Sequence, residues 1–153
     1  MFASSENKTL SIGDSVPSVV ALDHNNKEFD FEANLSDRIS IVFFYPKAHT
    51  PGCTLQACSL RDAFTVLHEK GIQVLGVSSD SPKSQKSFKE KHSLPYTLIS
   101  DKNGAVAEAF GKGKWSRQAY IFNENQLVWK DTKGATSKQG EEAIAALNSL
   151  GLM

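Results

Sequence analysis

Residues 39–58 carry the clearest signals for secondary structure, and they read ISIVFFYPKAHTPGCTLQAC. Its first seven residues are almost continuously apolar, β-branched or aromatic, which predicts a central strand buried on both faces. The pair Pro51-Gly52 breaks that pattern, and apolar residues near helical spacing follow over residues 54–70. We therefore expect a strand to end, and a helix to begin, close to Cys53.

Cys53 and Cys58 are the only cysteines in the chain. A thiol at the start of a helix meets free backbone N–H groups and the positive end of the helix dipole, so it tends toward the thiolate. Residues five apart on a helix have Cα atoms about 8.6 Å apart that point away from each other, whereas a disulfide needs about 7 Å or less. The two sulfurs can therefore bond only if the first helical turns unwind.

The remaining segments alternate short apolar runs with amphipathic stretches, in the predicted order β-β-β-α-β-α-β-α-β-β-α. This order predicts an α/β fold, with a central mixed β-sheet flanked by helices on both faces. We expect one domain over residues 1–153, with residues 1–10 as a flexible lead-in. The predicted strands cover residues 16–22, 28–31, 39–45, 72–78, 94–99, 119–122 and 126–130, and the predicted helices cover residues 54–70, 82–92, 106–110 and 139–150.

Composition and charge exclude several classes of function. The chain has 17 basic and 17 acidic residues, and this zero net charge gives no reason to expect nucleic acid as a partner. Its longest strongly apolar stretch, residues 39–45, is too short to span a bilayer, so we expect no membrane partner. Two cysteines do not make the disulfide framework of a secreted protein. An intracellular location is expected, cytoplasmic by preference, with the nucleus or an organelle left open.

The residues around Cys53 predict a site for a reactive thiolate. Thr50 can place its hydroxyl against the start of the helix, and Pro46 can shield the sulfur from water. Arg117 lies just before an apolar strand, where its guanidinium could stabilise the thiolate and donate to a leaving oxygen. His49 either tunes Cys53 or faces solvent, and the sequence leaves both alternatives open.

The same residues allow other interpretations. Two ordinary buried thiols are one alternative. A structural zinc site is another, but it needs four ligands with closely spaced cysteine pairs, and the four histidines are scattered along the chain. We therefore expect no metal and no cofactor. Arg61 could lie near the same face of the helix as Cys53, but a structural ion pair with Asp62 or a neighbour is favoured.

The pattern Pro46-x-x-x-Thr50-x-x-Cys53 resembles the active-site motif of peroxiredoxins. Cys58, within QACSLRD at residues 56–62, is similar to the branch called peroxiredoxin Q or bacterioferritin comigratory protein, as are residues 94–101 and 117–121. The resemblance covers nearly the whole chain, from about residue 12 to residue 150. It implies a thioredoxin-like fold and a peroxide-reducing thiol cycle without metal or haem.

Carried onto this sequence, the resemblance implies a role for each residue of the site. Cys53 would be the peroxidatic cysteine and Cys58 the resolving one, while Thr50 and Arg117 would orient the peroxide and Pro46 would shield the thiolate. The implied function is reduction of hydrogen peroxide and organic hydroperoxides through a sulfenic acid and an internal disulfide, in antioxidant defence and redox homeostasis. Thioredoxin or a similar dithiol would recycle the disulfide, and a monomer is expected.

Two alternatives of other classes remain beside the peroxidase. The first is a non-catalytic redox sensor or holdase that uses the same disulfide only as a switch. The second is an inert structural member of the fold. Catalytic turnover with peroxide distinguishes the enzyme from both.

Overall fold

One seven-stranded sheet organises the computed structural model, which describes residues 9–112 and 116–153. Residues 1–8 of the expected lead-in lie outside this part. The strands are β1 (Val20–Asp23), β2 (Glu28–Asp30), β3 (Ile39–Phe44), β4 (Gln73–Ser78), β5 (Thr97–Ser100), β6 (Gln118–Asn123) and β7 (Gln126–Asp131). The helices are α1 (Phe31–Leu35), α2 (Pro51–Glu69), α3 (Pro82–Lys91), α4 (Ala105–Ala109) and α5 (Gln139–Ser149).

The sheet has the order β2-β1-β5-β4-β3-β6-β7 and is mixed, as predicted. Strand β3 pairs in parallel with β4 and antiparallel with β6. Its side chains alternate between two apolar cores, because successive residues of a strand point to opposite faces. Ile41 and Phe43 pack in the core that holds residues of α2, α3 and α5, whereas Val42 and Phe44 pack in the core that holds residues of α1 and α4. Helices on both faces are therefore confirmed.

The segment at residues 28–31 differs from the prediction of a strand alone. The strand ends at Asp30, and a short helix, α1, follows it. The Asp30 carboxylate accepts the N–H of Ala33 and so caps this helix, which buries Phe31 and Leu35. The first strand is also shorter than predicted, because it begins at Val20 rather than at residue 16.

The expected strand over residues 94–99 begins only at Thr97. Pro95 has no backbone N–H to donate to a neighbouring strand. The carbonyls of Leu94 and Tyr96 both accept from the Lys89 ammonium, at 2.7 Å each, instead of joining a ladder. A side chain of α3 therefore holds this segment outside the sheet.

Helix α2 begins earlier than predicted, at Pro51 rather than near residue 54. Proline is well suited to the first turn of a helix, because the missing N–H would have no helical partner there. Cys53 consequently lies inside the first turn. Ser81 caps α3, since its hydroxyl accepts the N–H of Ser84 at 3.2 Å.

Candidate active site

The amino end of α2 builds the surroundings of Cys53. Thr50 is the N-cap residue, in an extended conformation, and the first helical hydrogen bond runs from Thr54 N to Thr50 O at 2.9 Å. The amides of Gly52 and Cys53 therefore have no carbonyl to bond within the helix. The Cys53 side chain is buried, with 1% of its surface exposed. The sulfur therefore lies beside two free amides at the positive end of the helix dipole.

Arg117 supplies the fixed positive charge at this sulfur. It directly precedes β6, whose first residue, Gln118, pairs with Phe44 at the end of β3. Its Nη1 donates to Cys53 Sγ at 3.6 Å. A Cβ placed on Gly52 would lie 3.0 Å from Arg117 Nη2, so the glycine leaves room for the guanidinium. The structure thus brings together the thiol and the cation that the sequence predicted.

Gln56 is a member of this site that the sequence analysis missed. Its Oε1 accepts from Arg117 Nη1 at 2.8 Å, and its side chain is fully buried. Its Nε2 donates to Gln139 Oε1 at 2.9 Å and to Phe44 O at 3.4 Å. Gln56 lies three residues after Cys53, so helical spacing alone places both side chains on one face of α2. That spacing is the signal that could have identified it.

The loop between β3 and α2 carries Pro46, His49 and Thr50. Thr50 lies at the start of the helix, as expected, but its hydroxyl donates to Lys47 O at 2.7 Å. Pro46 is partly buried just beyond the end of β3. His49 is exposed, adopts a left-handed backbone with φ of 68°, and sets its ring edge-on to Phe88 at 5.3 Å. All three residues therefore lie in the loop that leads from β3 into α2.

Asp80 anchors the same loop and was also missed from sequence. Its Oδ2 accepts from Ala48 N at 2.7 Å and from the Ser78 hydroxyl at 2.6 Å. The Ser100 hydroxyl donates to Asp80 O at 2.6 Å. The end of β4 and the end of β5 therefore hold the loop that leads to Cys53. Only the folded sheet brings these groups together, so no local pattern identifies them.

Cys58 lies on the same uninterrupted helix as Cys53, and both thiols are free. Cys53 is buried, whereas Cys58 is partly exposed. The Tyr96 hydroxyl donates to Ala57 O at 2.5 Å, and Gly140 N donates to the Ser59 hydroxyl at 2.8 Å. Burial, reinforced by Tyr45 and Cys58 nearby, raises the pKa of Tyr96 well above its ordinary value, so the hydroxyl remains a donor. Two contacts therefore fix α2 on either side of Cys58.

The ion pair predicted for Arg61 is present, with Arg61 Nε 3.2 Å from Asp62 Oδ1. The same guanidinium donates from Nη1 to His92 O at 2.9 Å.

Over residues 9–112 and 116–153, no group of three or more His, Cys, Asp or Glu side chains is placed to hold a metal ion. Within the same residues, no helix combines the length and the apolar character that crossing a membrane requires.

Comparison with known proteins identifies relatives over most of the chain. Residues 12–130 match the AhpC/TSA family. The chain is 36% identical over 125 residues to peroxiredoxin bcp1 of Schizosaccharomyces pombe, a match that covers 78% of this chain and 64% of that protein. It is 39% identical over 112 residues to peroxiredoxin Bcp of Escherichia coli strain K12, covering 73% of this chain and 70% of that protein.

A solved structure agrees with the sequence relatives. Peroxidoxin BcpB from Mycobacterium tuberculosis superposes with a TM-score of 0.83 and 28% sequence identity, covering 92% of this chain and 98% of that one. The thioredoxin-like fold expected from the sequence is therefore confirmed. The two curated relatives are longer, and the match spans 64% and 70% of their lengths.

Proposed function

This chain belongs to the AhpC/TSA family, and we propose that it is a thiol peroxidase that reduces hydrogen peroxide and organic hydroperoxides at Cys53. The observation that carries the proposal is the contact of 3.6 Å between Arg117 Nη1 and Cys53 Sγ. A guanidinium at that distance stabilises negative charge on the sulfur. The thiolate, not the thiol, is the nucleophile in such chemistry.

In the first step, the Cys53 thiolate attacks one oxygen of the peroxide bond. The S–O bond forms as the O–O bond breaks, so the sulfur becomes a sulfenic acid and the other oxygen takes a proton and leaves as water or an alcohol. Arg117 and the free amides of Gly52 and Cys53 can donate to the departing oxygen, where negative charge develops. Pro46 would shield the thiolate from water, and Thr50 would orient the peroxide.

In the second step, Cys58 condenses with the sulfenic acid on Cys53, and water leaves. Helix geometry holds the two sulfurs apart while α2 is intact. The first turns of α2 must therefore unwind, which releases the Tyr96 hydroxyl from Ala57 O. Cys53 would thus react in the folded helix and Cys58 in the opened one.

In the third step, an external dithiol reduces the internal disulfide by exchange and returns both cysteines to thiols. A thioredoxin-type protein is the proposed reductant, and antioxidant defence within a reducing cellular compartment is the proposed role. Because the resolving thiol lies in the same chain, the cycle needs no second subunit, and we propose a monomer.

The test is a coupled assay with peroxide, thioredoxin, thioredoxin reductase and NADPH. Continuous NADPH consumption that depends on this protein is expected for an enzyme. A single burst equal to the amount of protein would instead favour a redox sensor. No consumption, together with unmodified cysteines, would favour an inert member of the fold.

A further inference from the structure

A chain of buried hydrogen bonds connects Arg117 to Asp131, the last residue of strand β7. Arg117 Nη1 donates to Gln56 Oε1 at 2.8 Å, and Gln56 Nε2 donates to Gln139 Oε1 at 2.9 Å. Gln139 Nε2 in turn donates to Asp131 Oδ2 at 3.4 Å. Both glutamine side chains are fully buried, and Asp131 is 8% exposed. We call these three residues, Gln56, Gln139 and Asp131, the amide relay.

The two ends of the amide relay fix its direction. A guanidinium can only donate hydrogen bonds, and a carboxylate can only accept them. Each glutamine must therefore turn its NH₂ group toward Asp131 and its oxygen toward Arg117. If either amide flipped, two donors or two acceptors would face each other in a buried site, which is costly. Asp131, at the end of β7, thus determines that Gln56 presents its oxygen, not its NH₂ group, to Arg117.

Asp131 is itself held in place by the turn that follows it. Its Oδ1 accepts from Lys133 N at 2.8 Å, and its Oδ2 accepts from Ala135 N at 3.3 Å. The same turn covers Arg117, since a Cβ placed on Gly134 would lie 3.8 Å from Arg117 Cβ. Asp131, at the end of the amide relay, is therefore a fixed hydrogen-bond acceptor.

We propose that Gln139, anchored by Asp131, is a positioning residue for the reaction at Cys53. Gln139 holds the Gln56 oxygen toward Arg117. That oxygen accepts from Arg117 Nη1 and so keeps this nitrogen within reach of Cys53 Sγ. The inference rests on the proposed function, because it concerns the reactivity of the thiol assigned there. Gln139 acts through Arg117, not through contact with substrate.

The relay also links the two chemical steps. Gln56 lies on α2 between the two cysteines, whereas Gln139 lies at the start of α5. When the first turns of α2 unwind, Gln56 must leave Gln139, so Arg117 loses its support as the disulfide forms. The guanidinium of Arg117 is therefore fully held in place only in the reduced state, in which Cys53 attacks.

The test is a double-mutant cycle between Gln139→Met and Arg117→Met, carried out in a Cys58→Ser protein so that only Cys53 reacts. The measured quantity is the second-order rate constant for alkylation of Cys53 by iodoacetamide at neutral pH. With Arg117 present, Gln139→Met is expected to slow alkylation about fivefold, the effect of losing one net hydrogen bond. With Met at position 117, Gln139→Met is expected to change nothing further.

Two outcomes would overturn the proposal. Equal slowing by Gln139→Met in both backgrounds would mean that Gln139 acts on α2 independently of Arg117. No slowing in the background that retains Arg117 would mean that the relay does not affect the thiol.

Controls separate positioning from stability. Gln73→Met removes another amide with two hydrogen bonds, to Asn34 O and the Ser40 hydroxyl at the opposite end of the sheet, and should leave the alkylation rate unchanged. If Gln139→Met does not fold, Gln139→Asn keeps the amide but shortens its reach, and the same cycle applies. Because alkylation needs no peroxide, the proposed function can fail in the coupled assay while the relay still passes this test.

Discussion

Arg117 Nη1 lies 3.6 Å from Cys53 Sγ, although the two residues are 64 positions apart in the chain. The antiparallel pairing of Phe44 with Gln118 brings them together, because it sets the start of β6 beside the end of β3. The pairing of β3 with β6 thus places the Arg117 guanidinium beside the first turn of α2, the helix that follows β3. The proposed chemistry depends on this one contact.

Replacing Arg117 should slow the first oxidation while the fold persists. For Arg117→Ala we expect the rate constant of Cys53 with hydrogen peroxide to fall by about 100-fold or more, the usual cost of losing one donor to a developing oxyanion. Stopped-flow fluorescence measures this rate. Arg117→Lys is the matched variant, and it should recover only part of the rate, because an ammonium lacks the planar fork of a guanidinium. A rate unchanged by Arg117→Ala would remove Arg117 from the site.

The two cysteines should have separable effects. Cys53→Ser should abolish peroxidase activity, because the nucleophile is lost. Cys58→Ser should leave the first oxidation of Cys53 intact and block turnover with thioredoxin, since no internal disulfide can form. Rapid-mixing kinetics and the coupled NADPH assay measure the two steps. Peroxidase activity that survived Cys53→Ser would rule out the assignment.

Tyr96→Phe should speed disulfide formation without changing the first step. The substitution removes the hydrogen bond of 2.5 Å to Ala57 O, which fixes the helical turn beside Cys58. A net contribution of about 0.5–1.5 kcal/mol corresponds to roughly a twofold to tenfold faster opening. Quenched samples analysed by mass spectrometry give the rate at which sulfenic acid converts to disulfide.

Tyr45→Phe is the control for that experiment. Tyr45 is equally buried and donates at 2.5 Å to Gln85 on α3, not to α2. It should lower stability without speeding disulfide formation. Equal acceleration by both substitutions would show that general loosening, not release of Ala57, controls opening of the helix.

Gly140→Ala should destabilise the fold at the contact between α2 and α5. A Cβ placed on Gly140 would lie 2.5 Å from Ser59 O, so the backbone of one helix must shift. We expect a loss of about 1–3 kcal/mol in the free energy of unfolding by urea, although alanine is otherwise favoured over glycine in helices by about 1 kcal/mol. Glu141→Ala, at the next and exposed position, is the control and should change stability little. No loss for Gly140→Ala would mean that the helices can separate freely.

The strand and the helix around Cys53 could be predicted because their signals are local. The apolar run over residues 39–45, the pair Pro51-Gly52 and the helical spacing after it lie within about thirty residues of one another. The missed helix α1 also had a local signal, since Asp30 is a typical N-cap residue. The short alternation over residues 28–31 favoured a strand instead.

Helical spacing places Gln56 on the same face of α2 as Cys53, but the long-range hydrogen bonds of the site could not be predicted in the same way. Gln56 bonds to Gln139, 83 positions away, only because α2 packs on α5. Asp80 meets Ala48 only because β3 and β4 run in parallel. Such hydrogen bonds depend on which surfaces pack together, and a single sequence carries no pattern that reports them.

In the proposed cycle, Cys53 attacks peroxide and Cys58 then closes an internal disulfide. Intact-mass spectrometry after one equivalent of hydrogen peroxide tests it most directly. We predict a monomer lighter by two hydrogens, and a Cys58→Ser protein heavier by one oxygen. An unchanged mass, or a disulfide-linked dimer in place of the lighter monomer, would rule out this cycle.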